Sequence, residues 1–120
     1  IMNNEVLQVF NHGKMKRDFT YIDDIISGTK SAIVKNYKNE IFNLGNNQSE
    51  DLMRMIKIIE SCLGKDAKIK FVDMQLGDVK NTWADIDYSK VKLGYEPQIP
   101  IQKGIPKFID WFLDYYQRKL

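Results

Sequence analysis

The sequence is short of most residues on which chemistry is usually built. One cysteine, Cys62, and one histidine, His12, stand among 120 residues. A single thiol forms no internal disulfide, which excludes a cystine-stapled scaffold and favours a reducing compartment. Neither Cys62 nor His12 has a second ligand at metal-binding spacing, so His12 reads as a surface residue and Cys62 as a buried helical one. No apolar run approaches the roughly 20 residues that span a bilayer. The start, "IMNNEV", lacks the basic flank and apolar core of a signal peptide, and a cytoplasmic location is expected. Because Met2 follows Ile1, the chain is expected to start inside a longer protein. Charge of one sign is scarce too: 18 Lys and Arg against 16 Asp and Glu leave a formal +2. That is too weak a field to argue for nucleic acid or a membrane surface. No Ser sits on a Gly-x-Ser-x-Gly turn and no Gly-rich turn links a strand to a helix. The usual nucleophile elbow and dinucleotide-phosphate cradle are therefore missing.

What is present is an ordinary globular composition, 43% apolar and 28% charged, in a length suited to one domain over residues 1–120. "EVLQVF" (5–10) reads as a strand and "NHGK" as a turn in which Gly13 is free to take positive φ. "RDFTYI" (17–22) alternates Phe19 and Tyr21 against Asp18 and Thr20, a half-buried strand expected to pair with the first. From Asp23 the period changes to that of a helix, with Ile22, Ile25, Ile26, Ala32 and Ile33 on one face. "EIFNLG" (40–45) reads as a short strand. Ser49 is expected to cap a helix whose buried stripe is Leu52, Met53, Ile56, Ile59 and Leu63, closed by Gly64. "AKIKFV" (67–72) is another strand, "DMQLGDVKN" a loop, "TWADID" an extended piece, and "YSKVKLG" a short helix ending at Gly94. The last helix carries Phe108, Ile109, Phe112 and Leu113; Pro106 belongs in its first turn or at a kink. The fold class is α/β, as a mixed α+β unit.

The densest chemistry lies in "KMKRDFTYIDDI" (14–25). Lys14 and Lys16 read as solvated loop, and the acids Asp18, Asp23 and Asp24 break any sustained basic face. Arg17 is different, because a strand backbone fixes its planar fork for bidentate contact with a phosphate. Two segments spell Tyr-x-x-x-Lys: Tyr88 to Lys92 and Tyr115 to Lys119. Helical spacing stacks such a pair, but neither has a nicotinamide site beside it, and both read as coincidence.

Taken in order, "VFNHGKMKRDFTYIDDI", "IFNLGN", "LGDVKNTWADID", "LGYEP" and "GIPKFIDWF" resemble the C-terminal part of the extended short-chain dehydrogenase/reductases that act on nucleotide sugars. The first segment is most similar to UDP-glucuronate 4-epimerases. The resemblance implies the substrate-binding portion of an NAD-dependent isomerase, lacking its N-terminal Rossmann half and inactive by itself. In the complete enzyme NAD would be held by that half, whose tyrosinate takes the sugar 4-hydroxyl proton while hydride leaves C4. The expected partners are a UDP-sugar, the Rossmann half and a second copy in a full-length homodimer; the expected setting is polysaccharide biosynthesis. Arg17 matches the arginine that contacts the substrate pyrophosphate. Gln8 and Phe10 match positions beside the uracil ring. Gln75 stands where many relatives place a second phosphate-binding Arg, and Asp78 matches an acid that holds a ribose hydroxyl or orders the loop. "QLGD" in place of "RPGD" favours an epimerase over a 4,6-dehydratase or decarboxylase. A small stand-alone anion-binding domain is the alternative from another class.

Overall fold

The computed structural model describes residues 1–117. In chain order the elements are β1 (Val6–Val9), β2 (Lys16–Asp18), α1 (Ile22–Lys35), β3 (Ser49–Asp51), α2 (Leu52–Leu63), β4 (Lys68–Phe71), α3 (Asp87–Leu93) and α4 (Ile101–Tyr115). A 3-10 turn over Phe10–Gly13 joins the first two strands. The mixed α/β class expected from the sequence is the one observed.

The strands form two small sheets. β1 runs parallel to β4, with Val6 opposite Lys68 and Val9 opposite Phe71. β2 runs antiparallel to β3, with Arg17 opposite Glu50. The expected pairing of residues 17–22 with β1 does not occur. Asn11, His12 and Gly13 all take positive φ, at 48°, 51° and 78°. Successive left-handed residues turn the chain away from β1 instead of folding it back alongside. β2 also ends earlier than expected, at Asp18. The loop 80–84 runs beside it: Lys16 N–H donates to Lys80 O (2.9 Å) and Thr82 N–H to Lys16 O (3.2 Å). "TWADID" is thus drawn along β2 as an irregular extra strand.

β3 replaces the expected Ser49 cap. Ser49–Asp51 is the strand opposite β2, and α2 begins only at Leu52 with Asp51 as the flanking residue, whose side chain makes no cap hydrogen bond. Pairing with β2 offers these three residues backbone partners that a cap could not. The α2 stripe is as expected: Ile56 and Leu63 are buried, and Leu52, Met53 and Ile59 half-buried. Gly64 and Gly94 end α2 and α3 in left-handed conformations, φ 60° and 69°. Here only glycine escapes the Cβ penalty.

Helix α1 keeps Ile25 and Ala32 of its expected apolar face half-buried, Ala32 against the core, but turns the rest of that face outward. Ile22, Ile26 and Ile33 face solvent, and the buried residues are Asp24 and Gly28. The reason is close packing. A Cβ on Gly28 would lie 2.6 Å from Leu44 Cδ2 and 2.9 Å from Tyr95 Cδ2, so these side chains rest on the bare helix backbone. Asp24 faces the same way and accepts the backbone N–H groups of Gln98 and Ile99, both at 3.0 Å. Leu44 and Tyr95 belong to a core centred on Ile86, Leu93 and Tyr95, flanked by Ala32, Phe42 and Ala84. "EIFNLG" therefore contributes core side chains, but it forms no strand, because no backbone partner lies beside it among the described residues. Pro106 is the sixth residue of α4 and not in its first turn. Its missing N–H leaves the Gln102 carbonyl without the usual partner. α4 nonetheless runs continuously and packs against α2.

Candidate functional site

The site is assembled on β2, whose alternation sends consecutive side chains to opposite faces. Arg17 projects on one side and is about three-quarters covered. Its Nη1 donates to the carbonyls of Lys16 (2.9 Å) and Lys80 (3.2 Å), and its Nη2 donates to Asp78 Oδ1 (2.8 Å). A guanidinium carries five N–H groups; these bonds engage three and orient the plane. Asp78 is held in turn, its Oδ1 accepting its own successor's amide, Val79 N–H, at 2.8 Å. The Arg17–Asp78 pair is partly shielded, with side-chain exposures of 26% and 29%. The result is a fixed cation at the junction of β2 with the 75–84 loop, with two donors left for an anion.

Lys16, on the opposite face, lies 3.6 Å from Asp51 Oδ1 and is half exposed. Lys14 is exposed. Both are solvated as expected, but Lys16 lies on β2 and not in a loop. Gln75 is exposed and joins the pair through the backbone alone, Asp78 N–H donating to Gln75 O at 3.2 Å. Gln8 is exposed on β1 opposite Lys70, and Phe10 is half-buried at the start of the 3-10 turn and not on the strand. No hydrogen bond or ion pair among the described residues links Gln8 or Phe10 to Arg17. The structure thus brings Arg17 and Asp78 together, holds Gln75 one turn away, and leaves Gln8 on a separate sheet and Phe10 in the turn that follows it.

Asp18 was missed as a candidate. Its Oδ1 accepts Asn46 N–H (2.9 Å), and its Oδ2 accepts Asn47 N–H (3.0 Å) and Ala84 N–H (2.9 Å). One carboxylate ties two distant loops to the strand that carries Arg17. Gly45 belongs to this junction: a Cβ there would collide with Ala84 Cβ and lie 2.9 Å from Asp18 Oδ2. It permits a close approach. The signal in the sequence was the Arg-Asp juxtaposition, but nothing in it named the amides.

The other chemistry-bearing residues are accounted for. Tyr88 donates its hydroxyl to Glu40 Oε2 (2.7 Å), and that bond raises its pKa above the ordinary tyrosine value. Lys92 Nζ lies over the Tyr88 ring face, 5.7 Å from its centroid, while the hydroxyl is engaged by Glu40. For the second spacing, Lys119 lies outside the described residues. His12 is exposed, with Nε2 3.0 Å from Asp73 Oδ1, and Cys62 is half-buried, not fully buried as expected. Among the described residues no group of His, Cys, Asp or Glu could hold a metal ion, and no helix is long and apolar enough to cross a membrane.

No family model matches the chain. It is 46% identical over 114 residues to an uncharacterized protein of Methanocaldococcus jannaschii, covering 95% of this chain and 35% of that protein. It is 38% identical over 112 residues to the UDP-glucuronate 4-epimerase of Thermodesulfobacterium geofontis, covering 92% and 34%. Among solved structures, UDP-glucuronic acid 4-epimerase from Bacillus cereus, in complex with UDP-glucuronic acid and NAD, superposes with a TM-score of 0.85 at 33% identity. The match covers 96% of this chain and 37% of that one. The chain thus spans about a third of the length of the proteins it matches.

Proposed function

In sequence and fold the chain matches the C-terminal portion of extended short-chain dehydrogenase/reductases of the UDP-glucuronate 4-epimerase type, and from that premise we propose that it is the UDP-sugar-binding portion of such an epimerase. The observation that carries this reading is the oriented, shielded Arg17, held by two carbonyls and Asp78. A fixed cation with unused donors suits the diphosphate of a nucleotide sugar, which stays anchored while the sugar reorients. Asp78 acts here as a positioning residue: it fixes the fork before the ligand arrives, and it yields an N–H when a phosphate oxygen competes for it. Gln75 adds a neutral donor to a second phosphate oxygen. Gln8 and Phe10 supply an amide for a base edge and an aromatic face for a ring.

NAD is assigned to another part of the enzyme. The described residues include no Gly-rich turn between a strand and a helix, and the helix that follows β3 begins without one. The contribution of this chain is therefore binding and orientation; proton and hydride transfer belong to groups outside it.

Calorimetry with UDP, UDP-glucuronate, dTDP, inorganic phosphate and a DNA duplex tests the assignment. UDP and UDP-glucuronate are expected to bind more tightly than dTDP and phosphate. Arg17→Ala is expected to weaken UDP binding by about 2–3 kcal/mol, the scale of a charge-assisted contact. UDP binding no tighter than phosphate, or unchanged by Arg17→Ala, overturns the reading. Steeply salt-dependent binding of DNA with no preference for UDP would assign a polyanion surface instead.

A further inference from the structure

Glu50 is a buried charge beside the phosphate anchor that makes no contact with it. It lies in the middle of β3 and is 5% exposed. Among the described residues one hydrogen bond reaches its carboxylate: Arg54, a helical turn further on, donates from Nη1 to Oε2 at 2.9 Å. Arg54 is oriented from its other side by α4. In the arrangement that satisfies both groups, the Gln102 amide oxygen accepts from Arg54 Nε (3.3 Å) and Nη2. A well-packed apolar residue usually serves stability as well as a buried ion pair does, because both charges must leave water. Packing therefore gives no reason for a carboxylate at this position.

The strand register supplies a reason. Glu50 stands directly opposite Arg17 in the ladder between β2 and β3. Facing residues of an antiparallel pair share a face, with Cβ atoms about 5 Å apart. The neighbouring pair, Lys16 and Asp51, follows the same rule on the other face, its charges 3.6 Å apart. The Arg17 guanidinium bonds to the carbonyls of Lys16 and Lys80 and to Asp78, on the edge of β2 away from β3. Glu50 thus stands behind the fork and Asp78 at its tip. The Glu50–Arg54 pair does not cancel there. The Glu50 side chain is 6% exposed and that of Arg54 54%. Water screens the exposed cation, whereas the buried anion acts through a lower effective dielectric. The field that reaches Arg17 and its ligand is that of a carboxylate.

We propose, on the reading that Arg17 receives the diphosphate of a UDP-sugar, that Glu50 is a specificity-determining residue that holds this anchor close to neutral. With Asp78 it sets two carboxylates against one guanidinium. A bare phosphate or another small anion then gains little from the site. A ligand must add contacts from its nucleoside, so the site answers to a nucleotide and not to charge alone. Asp78 touches the fork and orients it; Glu50 does not touch it and acts through its charge.

Calorimetry with UDP, pyrophosphate and uridine tests this on the wild type, Glu50→Gln, Glu50→Asp and Arg54→Met. Glu50→Gln keeps the shape and an acceptor for Arg54 but removes the charge. It is expected to tighten UDP and pyrophosphate alike by about fivefold and to leave uridine unchanged. Glu50→Asp keeps the charge and is expected to stay within about twofold of the wild type. Arg54→Met strips the carboxylate of its counter-charge and is expected to weaken both phosphate ligands. A part played only in packing has the opposite sign, since a loosened β3 weakens binding as the urea midpoint falls. Pyrophosphate bound by Glu50→Gln no more tightly than by the wild type overturns the proposal, whatever the midpoint. The substrate reading fails separately. UDP no tighter than pyrophosphate in the wild type sinks that reading, while tighter pyrophosphate in Glu50→Gln still upholds the countercharge.

Discussion

At the scale of single residues, two carboxylates next to the arginine do different work. Asp78 touches Arg17, whereas Asp18 holds the backbone that presents it. Asp18→Asn presents an amide to three N–H donors that need an acceptor. It is expected to destabilise the fold by about 2 kcal/mol, measured by urea unfolding, because three amides, two of them in part-buried bonds, lose a charged acceptor. Asp78→Asn leaves the loop amides alone and is expected to weaken UDP binding by about tenfold with little change in unfolding. Tyr95 is a second buried anchor. Its hydroxyl donates to Gly45 O, and burial, reinforced by Asp24 and Asp18, pushes its pKa up to about 12. The folded state thus keeps a proton that the unfolded chain releases near pH 10. Stability from this source is complete below pH 10 and is lost as pH rises through 10 towards 12. Tyr95→Phe is expected to cost about 1 kcal/mol at neutral pH through the lost hydrogen bond, and to flatten the alkaline decline in denaturant midpoint.

At the scale of elements, helices were legible and strand partners were not. The stripe of α2 and the glycine stops at Gly64 and Gly94 depend on local spacing and on the sign of φ, both of which sequence encodes directly. A Cβ at Gly64 would meet nothing within 4 Å. Gly64→Ala therefore isolates the backbone cost of a left-handed residue and is expected to lower stability by about 1 kcal/mol in thermal unfolding. The orientation of α1 was misread because periodicity reports that a face is apolar and not which way it looks. Gly28 decides that, by letting Leu44 and Tyr95 reach the helix backbone. The expected pairing of 17–22 with β1 failed for a similar reason. Alternation predicts a strand, but the left-handed turn at Asn11–Gly13 chooses its neighbour.

At the scale of the whole molecule, the radius of gyration is 16.8 Å and the extents are 48 × 37 × 19 Å, whereas a compact 120-residue domain has a radius near 13.6 Å. A two-stranded parallel sheet with Val6 and Leu7 exposed, an uncovered α1 face and the aromatic row Phe108, Trp111 and Tyr115 on α4 belong to a slab with too much surface for its mass. Alone, the chain is expected to show marginal stability or concentration-dependent association in sedimentation velocity. A monodisperse, highly stable monomer would contradict that expectation.

The sequence alone determined the helices, the glycine stops of α2 and α3 and the mixed α/β class, and it offered Arg17 as a candidate, because spacing, glycine and charge are local properties. Asp18's hold on two loops and the Asp78 clamp on Arg17 were decided only by the tertiary structure. Each joins residues from 28 to 66 positions apart in the chain, and no local pattern encodes either.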